Sequence, residues 1–335
     1  MLTFISFIFV FGMIVFIHEF GHFLLARANG IFVKEFSLGM GPRLYSRQGK
    51  ETLYSIKAFP IGGSVQMIGE DEESDLPNSF GQKAAWRRFT VIVAGPVMNF
   101  VLAIFLLFVI SLSIGFQTTT IGEFVTGLPA GDSTLNVGDE IIVVNDTKIE
   151  AWNQLTVAIN ESGGEPVRIQ TINNGKIAAH DILPIYNEEE DRYLIGIVPT
   201  VEKSVLKAMD YSLTTTAELT KMILEFIPRL VSGQESMQNV AGPVGIAKVV
   251  GQAASMGLAP LLTFTAFISI NLGIMNLLPI PALDGGRILL IAYEMIFRRK
   301  VNPKIEERIH YVGFLLLMAL MVVVLFNDVF NLIRG

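Results

Sequence analysis

Runs of apolar residues divide the chain into segments of different character. Four runs are long enough to cross a bilayer, at about residues 3–27, 89–115, 259–281 and 309–332. Residues 116–200 instead show short β-rich segments separated by Gly, Asn and Asp turns. Residues 201–258 have helical periodicity with polar residues such as Lys207 and Asp210, which is typical of amphipathic helices at a membrane interface.

This pattern predicts a polytopic α-helical membrane protein of about four transmembrane helices with an inserted α+β domain. The first run lacks a positively charged start and continues past a polar cluster, so we expect a retained helix and not a cleaved signal peptide. The predicted segments are 1–27, 28–88, 89–115, 116–200, 201–258, 259–285, 286–308 and 309–332.

Composition narrows the possible chemistry. The chain is 51% hydrophobic and 17% charged, with a net charge of −6 and no basic tract, so nucleic acid is not an expected partner. It contains no cysteine, which excludes disulfides and thiolate metal sites. Histidine and carboxylate side chains remain as the expected metal ligands.

A cluster of polar residues interrupts the first apolar run. It reads His18-Glu19-Phe20-Gly21-His22, the HExxH pattern of zinc hydrolases. On a helix, positions i and i+4 share one face, so His18 and His22 can bind one ion while Glu19 stands beside it to act on a water molecule. Ionisable groups are costly in a bilayer and mark function there, although a chance match to a short motif is the plain alternative.

Basic residues orient the predicted spans. They are frequent in residues 28–88 and again in 286–308, which predicts that both segments are cytoplasmic. The N-terminus, residues 116–258 and the C-terminus then lie outside. His18 and His22 fall toward the cytoplasmic end of the first span.

A third metal ligand is predicted at the end of the third span. Pro279 and Pro281 break the helix there, and Asp284 is the carboxylate next to this break, at the same predicted depth as the two histidines. Three protein ligands would leave one position open for water, as in catalytic zinc sites. Taken alone, Asp284 could be an ordinary helix-end residue; His180 and His310 are weaker candidates.

Residues 51–69 predict a β-hairpin close to the membrane. Two β-prone runs, 52–56 and 64–68, flank a Pro60-Ile61-Gly62-Gly63 turn. Its edge is formed by Gly62, Gly63, Ser64 and Val65, and such an apolar hairpin could dip into the bilayer where protein or water satisfies this free edge. A solvated hairpin is the alternative, and the acidic stretch 70–75 is expected to be a solvated connection.

Asn99 follows Gly95 and Pro96 near the start of the second span, at the predicted depth of the metal site. Its amide can hydrogen-bond across helices, and we include it among the candidate substrate-binding residues. Helix packing alone would also explain it.

The segment GLPAGDSTLNVGDEIIVVNDTKI, within residues 116–200, resembles a PDZ domain. A PDZ groove binds an extended peptide by strand addition, often at a C-terminus. A small β-domain without a ligand is the alternative.

Together, HEFGH, PIGGSVQM, AGPVMNF, the PDZ segment, GPVGI and NLLPIPALDGG resemble the site-2 protease family of intramembrane zinc metalloproteases. The match is to the bacterial regulator-of-sigma-E protease branch, in a short form with one PDZ domain where many relatives have two. The resemblance implies one catalytic Zn²⁺ bound by His18, His22 and Asp284, with Glu19 as the base. It implies that the Gly62–Gly63 hairpin presents an edge strand, and that Asn276 and nearby prolines such as Pro279 help hold the substrate.

The resemblance also implies partners and location. The substrates would be transmembrane proteins trimmed beforehand by another protease, such as anti-sigma factors or remnant signal peptides, in the bacterial cytoplasmic membrane. Peptide or protein termini would bind the PDZ groove. A metal transporter and a catalytically silent PDZ membrane adaptor are the alternative functions; neither needs a glutamate beside the histidine pair.

Overall fold

The computed structural model describes residues 1–70, 74–188, 191–234, 242–299 and 301–334. Contacts divide the chain into two compact units, one of Met1–Ile110 with Met209–Gly335 and the other of Ser111–Ala208. In chain order the elements are α1 (Leu2–Ala28), β1 (Val33–Gln48), β2 (Leu53–Met67), α2 (Ala85–Ile114), β3 (Phe116–Phe124), β4 (Glu140–Val144), β5 (Thr147–Lys148), α3 (Trp152–Glu161), β6 (Val167–Asn173), β7 (Lys176–Ile182), β8 (Ile185–Asn187), β9 (Arg192–Leu194), β10 (Ile197–Glu202), α4 (Val205–Val231), α5 (Pro243–Met256), α6 (Leu258–Leu277), α7 (Asp284–Phe297) and α8 (Pro303–Arg334).

Three described helices, α1, α2 and α6, are long and apolar enough to cross a membrane. They form the core of the first unit, where Val10 and Ile14 of α1 pack with Ala103 of α2 and Ala266 of α6. Such helices are apolar on several faces because their outward side chains would meet lipid. Helix α8 covers the fourth predicted span but is not among these three, so that span stays a prediction.

The predicted hairpin turn at Pro60-Ile61-Gly62-Gly63 is wrong. These residues lie inside β2, and the chain reverses between β1 and β2 at residues 49–52. The run 33–48, which showed no strand signal, forms β1 and pairs antiparallel with β2. Both strands fold back, so that Phe36 pairs with Val65 on one side and with Tyr54 on the other. The two β-prone runs therefore flank β1 and do not pair with each other.

The chain after α6 contains a helix where a loop was expected. Helix α6 ends at Leu277, a short break follows with Ala282 at φ 74°, and α7 runs from Asp284 to Phe297. The prolines explain the break, because each lacks an amide hydrogen and restricts its own φ. Asp284, which was predicted to lie at the end of segment 259–285, is thus the first residue of a new helix that continues into the predicted 286–308 loop.

The second unit is built on a six-stranded sheet with strand order β10-β3-β4-β6-β7, in which β5 pairs with β4. Its separate core contains Ile121, Ile141 and Ile169 from the sheet and Leu155 from α3. The first and last strands are neighbours, and Phe116 pairs with Glu202. The unit therefore enters and leaves the rest of the chain at adjacent points.

Residues 201–258 contain α4 and α5, joined by a segment that includes residues outside the described part. Helix α4 is amphipathic and contains Pro228, while α5 packs against α1 and α6 in the first unit. Their predicted position at a membrane interface is not tested by the fold.

Candidate active site

The two histidines of the HExxH motif lie side by side on one face of α1. Both are buried, and their Nε2 atoms are 3.2 Å apart. The second histidine is held from outside the helix, since Nδ1 of His22 lies 2.9 Å from the backbone carbonyl oxygen of Val91 on α2. A carbonyl can only accept a hydrogen bond, so the His22 proton belongs on Nδ1 and its Nε2 is free to bind a metal.

Asp284 completes the group from the start of α7. Its Oδ2 atom is 3.2 Å from Nε2 of His18 and 3.5 Å from Nε2 of His22. Two glycines after Asp284 let α7 begin close to the end of α6. A Cβ on Gly286 would lie 2.7 Å from the carbonyl oxygen of Ile280, and one on Gly285 would overlap the carbonyls that end α6.

The three atoms fit a zinc ion. Zinc bonds of about 2.1 Å at tetrahedral angles separate ligand atoms by roughly 3.4 Å, close to the three observed separations. Oδ2 of Asp284 is buried and makes no hydrogen bond within the described structure, which is expected of an atom reserved for a cation. His18, His22 and Asp284 form a group of possible metal ligands whose ligand atoms all lie within 4.8 Å of one another.

Glu19 stands next to the ligands, where it can act on a water molecule. The backbone amide of Val65 donates a hydrogen bond to its carboxylate. Gly63 packs against the same side chain, because a Cβ on Gly63 would lie 2.8 Å from Cγ of Glu19. Residues 63–65 of β2 therefore pass directly over the metal-ligand cluster.

These groups enclose a cavity of about 200 Å³. The candidate residues that line it are His18, Glu19, His22, Gly63, Ser64, Val65 and Asp284. Gly62, Asn276 and Pro279 do not line it, and their contact with a substrate stays a prediction. Asn99 does not line it either, and its amide lies against His18.

Two charged residues of the cavity were not anticipated from the sequence. Glu70, which was expected to be solvated, lines the cavity and forms an ion pair with Arg287 of α7. Arg287 follows Asp284 by three residues, so the helical repeat places both on one face of α7. That spacing was the available signal for Arg287; Glu70 had none, because its acidic neighbours resemble a solvated run.

Comparison with known proteins identifies the family. The model of peptidase family M50 matches residues 6–320. The chain belongs to peptidase family M50. It is a zinc metalloprotease of the site-2 protease type, as its motifs predicted.

Relatives in the M50 family match along nearly the whole chain. A protein of Clostridium acetobutylicum, with a provisional zinc metalloprotease name, is 40% identical over 324 residues, covering 96% of each chain. Zinc metalloprotease RasP of Geobacillus kaustophilus is 33% identical, covering 97% of each chain. Regulator of sigma-W protease RasP of Bacillus subtilis is 32% identical, covering 98% of each chain.

A structural match concerns a PDZ domain. It is the PDZ domain of the SdrC-like protein from Listeria monocytogenes, which covers 26% of this M50 chain and 88% of its own, at 20% identity and a TM-score of 0.21.

Proposed function

We propose that this chain is an intramembrane endopeptidase that hydrolyses peptide bonds in or near transmembrane segments of other membrane proteins. One observation carries the proposal: three zinc-type ligand atoms lie 3.2–3.5 Å apart beside Glu19 on a helix apolar enough to span a bilayer. A hydrolytic site on a membrane-spanning helix is accessible to membrane-embedded chains in preference to soluble ones.

His18, His22 and Asp284 would hold one Zn²⁺. When bound, zinc supplies Lewis-acid chemistry, which polarises the scissile carbonyl and makes a water molecule a better nucleophile. Glu19 takes a proton from that water and passes it to the leaving amine, a general-base step worth about 10²–10⁴-fold in rate. The Val65 amide orients the Glu19 carboxylate for this transfer through its hydrogen bond.

The substrate must be extended at the cut, because a helix keeps its amides in internal hydrogen bonds. Residues 63–66 of β2 pair with residues 35–38 of β1 along one edge, and their other edge passes the Glu19 side chain. We assign to this edge the binding of an unwound substrate segment by strand pairing. Gly62, Asn276 and Pro279 are proposed to help hold the same segment.

The family and the name of one relative support the proposed substrate class. The sigma-W regulator name of the Bacillus subtilis relative supports anti-sigma factors as substrates, and remnant signal peptides share their short spanning form. We propose that another protease trims them first and that the second unit binds peptide or protein termini as a PDZ domain. The active site would face the cytoplasmic side of a bacterial cytoplasmic membrane, with the second unit and both termini outside.

The test uses the full chain in detergent with a purified single-span substrate. Wild type should bind one zinc and cleave the substrate, Glu19→Gln should bind zinc and not cleave, and Asp284→Ala should lose both. Cleavage by Glu19→Gln at the wild-type rate would overturn the mechanism. Zinc transport into vesicles without cleavage would support a transporter instead, and substrate binding without zinc or cleavage would support an adaptor.

A further inference from the structure

Asn99 is a buried polar residue that the proposed reaction does not use. Its side chain is 0% exposed, and its Nδ2 atom lies 3.3 Å from Nδ1 of His18. Its Oδ1 atom is also buried and has no hydrogen-bond partner among the described residues. A buried amide with one unpaired atom is costly, so its position against a metal ligand calls for a reason.

Metal binding dictates where the His18 proton must lie. Nε2 of His18 faces Oδ2 of Asp284 and Nε2 of His22, at 3.2 Å from each, so Nε2 is the atom that points at the metal position. A nitrogen that binds zinc carries no proton, and the proton of the neutral ring is then on Nδ1. A protonated Nδ1 is a donor, and the amide nitrogen of Asn99 cannot accept from it.

The side-chain amide of Asn99 can place an acceptor beside Nδ1 of His18 by rotating. Its oxygen and nitrogen occupy equivalent positions, and a half-turn about the last side-chain bond exchanges them. After that exchange Oδ1 faces Nδ1 of His18 and accepts its proton. His22 needs no such adjustment, because the Val91 carbonyl beside its Nδ1 is an acceptor in every state.

The backbone around Asn99 is fixed, so that only the amide can turn. Ser269 of α6 donates a hydrogen bond of 2.8 Å to the Asn99 carbonyl oxygen. Gly273, one turn later on α6, lets the helices approach so closely that a Cβ there would lie 3.4 Å from Cβ of Asn99. The residue is thereby held at the distance at which its amide reaches His18.

We propose that Asn99 is a positioning residue for the metal: its amide oxygen accepts the hydrogen bond from Nδ1 of His18, fixes the ring orientation and keeps Nε2 free for zinc. This inference rests on the proposed zinc site and replaces direct substrate contact as the role of Asn99. Partners of this kind behind a metal-binding histidine typically contribute 10–100-fold in metal affinity.

The experiment compares two substitutions in the full chain. Asn99→Asp keeps an acceptor oxygen at the same place, whereas Asn99→Leu keeps the branched shape and removes the acceptor. Zinc affinity is measured by competition with a chromogenic chelator, and cleavage is measured as separate kcat and KM values. Thr265→Val is the matched control, because Thr265 is also 0% exposed but bonds to the Leu261 carbonyl of its own helix.

We expect Asn99→Leu to weaken zinc binding by about 10–100-fold, and Asn99→Asp and Thr265→Val to bind zinc like wild type. Equal zinc affinity in Asn99→Leu and wild type would overturn the inference, as would an equal loss in Asn99→Leu and Asn99→Asp. A raised KM with unchanged zinc affinity would assign Asn99 to substrate binding instead. If Asn99→Leu does not fold, Asn99→Ala provides the same comparison. Absence of zinc from wild type would be a failure of the proposed function itself.

Discussion

Gly95 of α2 lies directly against the imidazole of His22. A Cβ on Gly95 would overlap Nε2 of His22 and would lie 2.9 Å from Cε1 of His18. Helix α1 makes the reciprocal approach at Gly21, where a Cβ would lie 2.8 Å from the carbonyl carbon of Ala94. The two glycines let α1 and α2 pack closely enough for Val91 and Asn99 to reach the histidine rings.

Gly95→Ala should therefore displace the His22 ring and weaken zinc binding by at least about tenfold, since a misdirected ligand loses much of its bond. Zinc content and chelator competition measure the effect. Gly12→Ala is the matched control: it also adds a methyl group to a long apolar helix, but no atom lies within 4 Å of its Cβ. Unchanged zinc affinity in Gly95→Ala would show that the ring has room to move.

Gly63→Ala tests the strand over the site. The new methyl group would lie 2.8 Å from Cγ of Glu19 and 3.0 Å from the Ser37 carbonyl oxygen. Because neither atom is a metal ligand, we expect zinc content to stay at the wild-type level while cleavage falls by at least about tenfold. Normal cleavage of several substrates would remove residues 63–65 from the proposed binding edge.

The candidate metal ligands could be predicted because each leaves a signal in the local sequence. His18 and His22 are one helical turn apart in an apolar run, and Asp284 follows a proline pair that breaks a span. The predicted three-ligand set is the set that the fold brings together.

The sheet was predicted poorly because its pairing depends on distant residues. Gly39 and Gly41 interrupt the apolar alternation of β1, and both have positive φ, at 85° and 87°. The Pro60–Gly63 stretch has the composition of a turn, yet it lies inside β2, where Phe59 and Gly63 pair with Met40 and Leu38 of β1. Glu70 was missed for a related reason, since a close approach to another element has no signature in a single sequence.

Removal of the second unit should leave the metal centre intact. Phe116 and Glu202 are paired neighbours, so replacing residues 116–202 with a short Gly/Ser linker joins two points that are already about 5 Å apart. We expect unchanged zinc stoichiometry and an altered preference among single-span substrates of different outer length, measured side by side with the full chain. Loss of zinc on deletion would show that the second unit is structural.

Glu35 gives a pH dependence outside the spanning helices. This β1 carboxylate is 2% exposed, and the hydrogen bonds from Arg43, together with Ser55 and the charge of Lys57, lower its pKa to about 2. Because the folded pKa lies below the unfolded value, its stabilisation is complete above about pH 4.5 and is lost as the pH falls toward 2.

Glu35→Gln should accordingly lower the thermal unfolding temperature at pH 7 and have progressively less effect between pH 4.5 and 2. The stabilisation at stake is on the order of 1–3 kcal/mol, reduced by the exposure of the Arg43 side chain. Unfolding curves of both proteins across this pH range measure it. A constant difference at every pH would mean that packing, and not the Glu35 charge, carries the effect.

The ion pair between Glu70 and Arg287 joins the end of the sheet to the helix that supplies Asp284. Their side chains are 10% and 29% exposed, and both line the cavity that His18, His22 and Asp284 also line. Asp284 and Arg287 also line a second cavity of about 490 Å³ against Tyr311 and Phe314 of α8. Arg287 therefore borders both cavities, and we expect its loss to make the candidate metal site more accessible.

We expect Arg287→Met and Glu70→Gln each to speed the extraction of zinc by a chelator several-fold, because loss of this largely buried ion pair loosens the contact between the end of the sheet and α7. The double variant should be less impaired than the two single effects added together, since both changes break the same contact. Glu51→Gln is the control, as it breaks the exposed pair with Arg27, which lies 3.4 Å away, and neither of these residues lines the cavity of the candidate site. Equal extraction rates in wild type and both single variants would show that the pair does not close the site, and a comparable acceleration in Glu51→Gln would show that any lost ion pair has this effect.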